Sequence, residues 1–390
     1  MKCGFIFGIE KEKGGTHVTL NSFMPVKLIT GPGCVRAGAR ELAKLGQTCL
    51  IVTGKTSAKL CGALQDVTDT LDGNGQKWVL FDEIGPNPRL TDCMAAAEMA
   101  IAAGAEFILG IGGGSPLDAA KCIAVLAANP GLTQAQLYAF DWANAPLKIV
   151  AVGTTAGTGS EVTKVSVITT PDGRKKSFHH EAVFPVLSLG DPNYTMSLPE
   201  MVTRSTAVDV LAHCAESFFS RSANHISRCY AVEGIRLLLP IFRSLAEKGW
   251  GDLDYDTRER LYCASIYGGL AINVTGTCFP HTMGYLLTET FGIPHGTACA
   301  VFQREFYEYN KDVVPELAAE YLQRIGCSEE EYFFLLEKTT PPCEISLEES
   351  LITESHSRWI GNGSIAKCQG AFTPDMADAV LRRKFLAGLE

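Results

Sequence analysis

The sequence has no pair of cysteines at the CxxC spacing, although it holds 14 cysteines in 390 residues. Zinc ribbons, iron–sulfur clusters and thioredoxin motifs need such close pairs, so all three are excluded. The cysteines are scattered singly (Cys34, Cys49, Cys61, Cys93, Cys122, Cys214 and onward), several of them in apolar stretches. They read as small core residues and as free thiols, which suit a reducing cytoplasm better than secretion. Positive charge is also short: 34 Lys and Arg against 43 Asp and Glu leave a formal charge of −9. A general nucleic-acid or acidic-membrane binder needs a basic surface to collect phosphates, so neither class fits. A local basic pocket for one small anion stays compatible with this balance. No stretch approaches the ~20 apolar residues of a membrane span. Residues 4–9 form an apolar run too short for a signal peptide's core, with no cleavage site after it. The expectation is a soluble, cytoplasmic protein.

What is present is enough apolar residue for a sizeable core. Hydrophobic residues are 46% of the chain and charged residues 20%, and the length suggests two domains. Up to residue 192, apolar strand-like runs alternate with helical ones. Strands are expected at 48–53, 77–81, 107–111 and 147–152, with helices from Ser57, over 91–103 and from Ser115-Pro116. Apolar strands alternating with helices imply a parallel sheet covered on both faces. Val165 to Thr170 and Val183 to Leu189 read as a hairpin-like insert, with Pro171-Asp172-Gly173 as its turn. After Asp191-Pro192, helical periodicity takes over at 199–219, 226–245, 256–273 and 314–325. The expected architecture is an α/β, Rossmann-like domain over residues 1–192 and an all-helical domain over 193–390.

Three constellations carry chemistry. Asp209 and His213 lie four residues apart in an apolar helix, so both project from one face and can grip one divalent cation. A hydrogen-bonded Asp–His pair inside a helical core is the plainer reading. His281, after Phe279-Pro280, and His295, within Pro294-His295-Gly296, add two nitrogens in the same half. Together they form a three-nitrogen, one-oxygen set suited to Fe²⁺ or Zn²⁺, with no cysteine in it. The second constellation is Gly112-Gly113-Gly114-Ser115-x-x-Asp118-x-x-Lys121 at a strand-to-helix turn, where bare backbone N–H groups suit a phosphate. Ser115 is also readable as a plain helix cap. The third is the loop from Gly153 to Thr163, whose Thr154, Thr155 and Thr158 offer hydroxyls beside glycine N–H groups.

The chain resembles the iron-containing (group III) alcohol dehydrogenases, which have the dehydroquinate synthase-like fold. The matching segments run from Pro86-Asn87-Pro88 through GGGSPLDAAK and TTAGTGSEVT to Asp191-Pro192, DVLAHCAE at 209–216 and the two histidine segments. The resemblance implies a nicotinamide cofactor on the α/β domain, the metal on the helical domain, and the nicotinamide between them. It implies Asp209, His213, His281 and His295 as metal ligands, for Fe²⁺ first with Zn²⁺ as the alternative. It adds Asn87 and Lys175 to the cofactor contacts, with Lys176 one register away, and implies a homodimer. Glu216, one turn beyond His213, is expected either to orient His213 or to form a structural salt bridge.

The first strand-to-helix turn bears on the cofactor's second phosphate. An acidic residue there would bind a ribose 2′-hydroxyl and repel a 2′-phosphate; Gly54 removes that repulsion, and Lys55, Thr56 and Ser57 offer a cation and hydroxyls. NADP(H) is expected ahead of NAD. Two positions depart from the resemblance. Tyr285 stands where many members carry a histidine near the nicotinamide, and a phenol (pKa near 10) is a poorer proton relay than imidazole (about 6.5). Gly153 stands where proline is frequent and is expected to loosen its loop. The function expected is interconversion of a small primary alcohol and its aldehyde. The alternatives are a dehydroquinate synthase-like or glycerol dehydrogenase-like enzyme, or an inactive metal- and nucleotide-binding scaffold.

Overall fold

The computed structural model describes residues 9–12, 15–18, 20, 22–251 and 253–386. The apolar run at residues 4–8 therefore lies outside the described residues. Two compact units emerge. One contains residues 24–199 and 253–262; the other contains residues 200–251 and 263–386 together with a short hairpin, β1 (Ile9–Glu12) and β2 (Gly15–Val18).

The first unit is built on six parallel strands: β3 (Lys27–Thr30), β4 (Thr48–Thr53), β5 (Lys77–Phe81), β6 (Phe107–Gly112), β7 (Lys148–Gly153) and β10 (Leu187–Gly190). Their order across the sheet is β3-β10-β7-β6-β4-β5. Alternate residues feed two cores. Leu50, Val52, Ile108 and Ile149 face one side of the sheet, and Cys49, Ile51, Leu109 and Val150 face the other. With both faces covered, each central strand reads as an unbroken apolar run, which is why the sequence marked these strands clearly. From β4 the chain moves outward to β5, then returns across β4 to β6. Strand order therefore reverses between β4 and β6, and such a reversal opens a crevice at the carboxyl ends of the strands.

The expected insert pairs differently. β8 (Val165–Thr169) runs antiparallel to β9 (Lys175–His179), not to Val183–Leu189. The turn is too tight to wait: Gly173 N–H bonds to Thr170 O at 2.9 Å, so the residues that follow at once must pair. β9 is largely exposed and polar, which hides it from a hydrophobic pattern, whereas β10 is buried throughout and joins the main sheet between β3 and β7. β3 carried no expectation.

The second unit centres on the helix Glu200–Phe219, whose residues from Ala207 to Phe219 are all buried. The helices His225–Lys248 and His295–Ala300 pack on it. Residues 339–372, largely unreadable from the sequence, follow on from the helix Glu329–Thr339 and contain one short α-helix, Glu349–Ser355, and two 3₁₀ turns, His356–Arg358 and Ile365–Lys367. Among the described residues no helix is long and apolar enough to cross a membrane.

Candidate active site

In the first unit, the glycine-rich turn and the Thr/Gly loop lie against each other. The helix Gly114–Ala128 begins directly after β6, with Pro116 in its first turn, where no backbone N–H is needed. A Cβ on Gly113 would lie 2.8 Å from Thr155 Oγ1, and one on Gly114 would lie 2.9 Å from Thr158 Cγ2. Glycine is thus what lets the two loops approach. Ser115 does not cap the helix; its Oγ accepts the N–H of Asn87 at 3.2 Å. Asn87 is held at φ 56°, and its Oδ1 accepts Lys175 Nζ at 3.0 Å. Lys175 thus meets Asn87, while Lys176 lies over the Tyr138 ring, 4.2 Å from its centroid.

Two acidic and basic side chains of the motif turn inward. Asp118 Oδ1 accepts Ser160 Oγ at 2.6 Å and Oδ2 accepts Val167 N–H at 2.9 Å. Both oxygens therefore clamp protein. Lys121, fully buried, donates to Ser160 O, Ser160 Oγ and Val165 O at 2.7–2.8 Å and ties the Thr/Gly loop to the helix. Burial pushes its ammonium down to about 8, against the pull of Asp118 and Glu161. Thr154 is buried beneath the loop, its N–H on Gly112 O at 2.9 Å. Gly153 does not loosen the loop: a Cβ there would lie 3.0 Å from Glu161 Oε1 and would strike the Tyr262 hydroxyl. The glycine makes room for a tyrosine. At the end of β4, Gly54 is half-buried and Lys55, Thr56 and Ser57 are exposed; nearby Asp82 is engaged by Lys59 at 2.6 Å.

In the second unit Asp209, His281 and His295 come together, with His213 beside them but outside that mutually close set. Asp209 and His213 come from the helix Glu200–Phe219, His281 from the first turn of Phe279–Phe291, and His295 from the first residue of His295–Ala300. Asp209 Oδ1 is 3.8 Å from His213 Nε2 and 3.6 Å from His281 Nε2. The rings of His213 and His281 stack at 4.7 Å, and His281 and His295 meet edge-on at 5.3 Å. Asp209 is 2% and His281 3% exposed, and neither Asp209 Oδ1 nor His281 Nε2 has a hydrogen-bond partner. Two buried, unsatisfied donors of this kind are costly unless something positive lies between them, so the residues present fit a divalent cation. The electrostatics agree. Burial opposes ionisation of Asp209, but His213, His295 and His281 together hold its carboxyl well below the usual range. Burial likewise opposes a charged His281, yet Cys299, Glu216 and Asp209 raise it well above the usual imidazole value.

Glu216 does not orient His213. Its Oε1 lies 2.7 Å from His281 Nδ1 and accepts Gln303 Nε2 at 3.0 Å, and its Oε2 accepts Cys278 N–H at 2.7 Å. A carboxylate on Nδ1 fixes that proton and leaves the Nε2 lone pair for a metal. Cys299, which carried no reading from the sequence, lies in the same cluster. One ligand atom each from Asp209, His281, His295 and Cys299 all lie within 4.8 Å of one another. The signal was available, because Cys299 follows His295 at the same four-residue spacing that joins Asp209 to His213. Tyr285, half-exposed, stacks on His295 at 5.4 Å.

A parallel nucleotide-type sheet with a glycine-rich turn, and a buried Asp/His cluster on packed helices, are the parts of a metal- and dinucleotide-dependent oxidoreductase. The chain belongs to the iron-containing alcohol dehydrogenase family: residues 25–192 match the model "Iron-containing alcohol dehydrogenase", and residues 203–333 match the C-terminal model of the same family. It is similar to alcohol dehydrogenase 4 of Schizosaccharomyces pombe, with 31% identity over 74% of this chain and 68% of the relative. It is also similar to lactaldehyde reductase of Escherichia coli, with 30% identity over 73% of this chain and 74% of the relative. Among solved structures it resembles sulfoacetaldehyde reductase of Bifidobacterium kashiwanohense in complex with NAD⁺. That match has a TM-score of 0.83 and 28% identity, and covers 95% of this chain and 99% of the other.

Proposed function

We propose that this chain interconverts a small primary alcohol and its aldehyde with NADP(H) as hydride carrier, using one divalent ion, Fe²⁺ or Zn²⁺. The observation that carries this reading is the buried Asp/His cluster, with two unpartnered donor atoms 3.6 Å apart, in a member of this family. Asp209, His213, His281 and His295 hold the ion. Bound there, it supplies Lewis acidity to the substrate's oxygen. The rest is positioning by the chain. Gly113, Gly114 and Ser115, at a helix N-terminus, present N–H groups to the cofactor's phosphates; Thr155 and Thr158 face them with hydroxyls, and Asn87 and Lys175 close the same corner. Tyr285, stacked on His295 and partly open to solvent, relays the alcohol's proton. Small substrates are supported by the two aldehyde reductases among the relatives, lactaldehyde and sulfoacetaldehyde reductase. A cytoplasmic homodimer belongs to the same reading; the thirteen described cysteines, all free thiols, suit a reducing compartment.

The choice of NADP(H) rests on the turn after β4. Gly54 puts no carboxylate beside a ribose 2′-phosphate, and exposed Lys55 and Ser57 offer it a cation and a hydroxyl. The test is the oxidation of NADPH and NADH with short aldehydes, after reconstitution with Fe²⁺ or Zn²⁺. Turnover is expected, with the higher kcat/KM for NADPH. Gly54→Asp should move that ratio toward NADH by about tenfold or more, the effect of at least ~1.4 kcal/mol of like-charge repulsion. A Cβ here would lie 3.1 Å from Ile84 O, so Gly54→Ala is the control for packing. A wild type that prefers NADH would refute the NADP reading; no turnover with any aldehyde or alcohol would refute the enzyme reading.

A further inference from the structure

We propose that the Cys299 thiolate is itself a ligand of the metal ion, so that the site is a sulfur-containing one. The inference rests on the metal reading above and extends it by one donor of a different chemical class. Cys299 has no exposure to solvent and sits one helical turn after His295, on the same face of the helix His295–Ala300. Its Sγ is 3.7 Å from His295 Nδ1 and 3.8 Å from Nε2, and within 4.8 Å of the ligand atoms of Asp209 and His281.

Without an ion these separations are those of a thiol–imidazole contact, which an ion held between the donors would replace. Metal–donor bonds of ~2.0–2.3 Å place neighbouring donors of a four- or five-coordinate ion roughly 3.0–3.6 Å apart. Asp209 Oδ1 and His281 Nε2 are 3.6 Å apart, too far to bond each other and close to that edge length. The thiol stands a few tenths beyond it from His295 and within 4.8 Å of the other two ligand atoms. The facing helix leaves space for the sulfur: a Cβ on Gly284 would lie 3.0 Å from Cys299 Sγ. Both Asp209 Oδ1 and His281 Nε2 are buried and unpartnered, so the cluster has capacity for an ion that the sulfur can share. On binding, the thiol loses its proton to solvent and the sulfur lone pair forms the bond; nothing is oxidised or reduced. A thiolate among imidazole and carboxylate donors shifts the site toward softer ions, which favours Zn²⁺ over an all-nitrogen-and-oxygen set.

The test is cobalt substitution of the full chain. Co²⁺ bound at one equivalent should give visible ligand-field bands and a near-ultraviolet thiolate-to-cobalt charge-transfer band. Cys299→Ser should keep the first and lose the second, with Zn²⁺ affinity falling by at least the roughly 10–100-fold that even an outer partner's loss costs. Zinc-edge X-ray absorption on the wild type does not depend on how the variant folds, and should require one sulfur near ~2.3 Å beside nitrogen and oxygen donors. Metal bound with only nitrogen and oxygen donors, or a charge-transfer band that survives in Cys299→Ser, overturns the proposal. Failure of the wild type to bind any divalent ion overturns the metal reading itself, and this inference with it.

Discussion

The carboxylate of Glu216 determines which nitrogen of His281 can serve a metal. With Oε1 2.7 Å from Nδ1, the imidazole keeps its proton on that side and turns Nε2 toward Asp209. Glu216→Gln keeps the shape but presents an amide N–H₂ to a site that already holds three donors, His281 Nδ1–H, Cys278 N–H and the Gln303 amide. One of these contacts must fail. Zn²⁺ affinity, measured by competition with a chelator, should fall about 10–100-fold; an unchanged affinity would show that the tautomer is set elsewhere. Residues of this sort divide by how they could be read. Asp209 and His213 were legible because a helix converts a four-residue spacing into proximity. Glu216 was legible as a residue of interest but not in its partner, because 65 positions separate it from His281 and only the packing of two helices joins them. Lys121 was quoted within a phosphate motif, yet its full burial turns it onto Ser160 and Val165, a fact of the fold with no local signature.

At the scale of elements, the metal cluster depends on how closely two helices cross. A Cβ on Gly296 would strike Ser205 O and come 2.7 Å from Asp209 Cβ, so the helix His295–Ala300 lies against the helix that carries Asp209 with no space between. Thr297 N–H donates to Ser205 Oγ at 3.1 Å and fixes the crossing. Gly296→Ala must push the helices apart. It is expected to cost about 3 kcal/mol of unfolding free energy, at the upper end of ordinary overpacking, and to weaken metal binding at the same time. Denaturant unfolding and metal titration of the same variant check both; a neutral result would contradict the crossing described. The strands show the opposite balance. β4, β5 and β6 were legible from residue runs because two covered faces impose an apolar pattern. β9 was not, since its register comes from the turn at 171–173 and its side chains face mostly outward. The buried run ending at Leu189 was legible as a strand but not in its place, because a parallel neighbour is chosen by a distant connection and not by the nearest turn.

For the whole molecule, the sequence described two kinds of architecture in order, and the structure has both: a doubly covered parallel sheet, then packed helices. The reversal of strand order between β4 and β6 explains why the residues singled out for the cofactor cluster as they do. Gly54–Ser57 follow β4 and Gly113–Ser115 follow β6, so both groups stand at the carboxyl ends of the two strands that flank the reversal. The buried Asp/His cluster was legible for a different reason: carboxylate and imidazole are rare inside an apolar helical core, so each occurrence marks a cost that something must offset. Cys299 was hidden by its own commonness, because buried cysteine is ordinary in this chain. The account stands or falls on the cluster being a catalytic metal site. The most direct measurement is metal content and aldehyde-reducing turnover of His281→Ala beside the wild type, with folding followed by circular dichroism. The account predicts a folded variant that retains little metal and loses at least about 10³-fold in turnover, several kcal/mol of transition-state stabilisation. A folded His281→Ala that keeps wild-type turnover would contradict it.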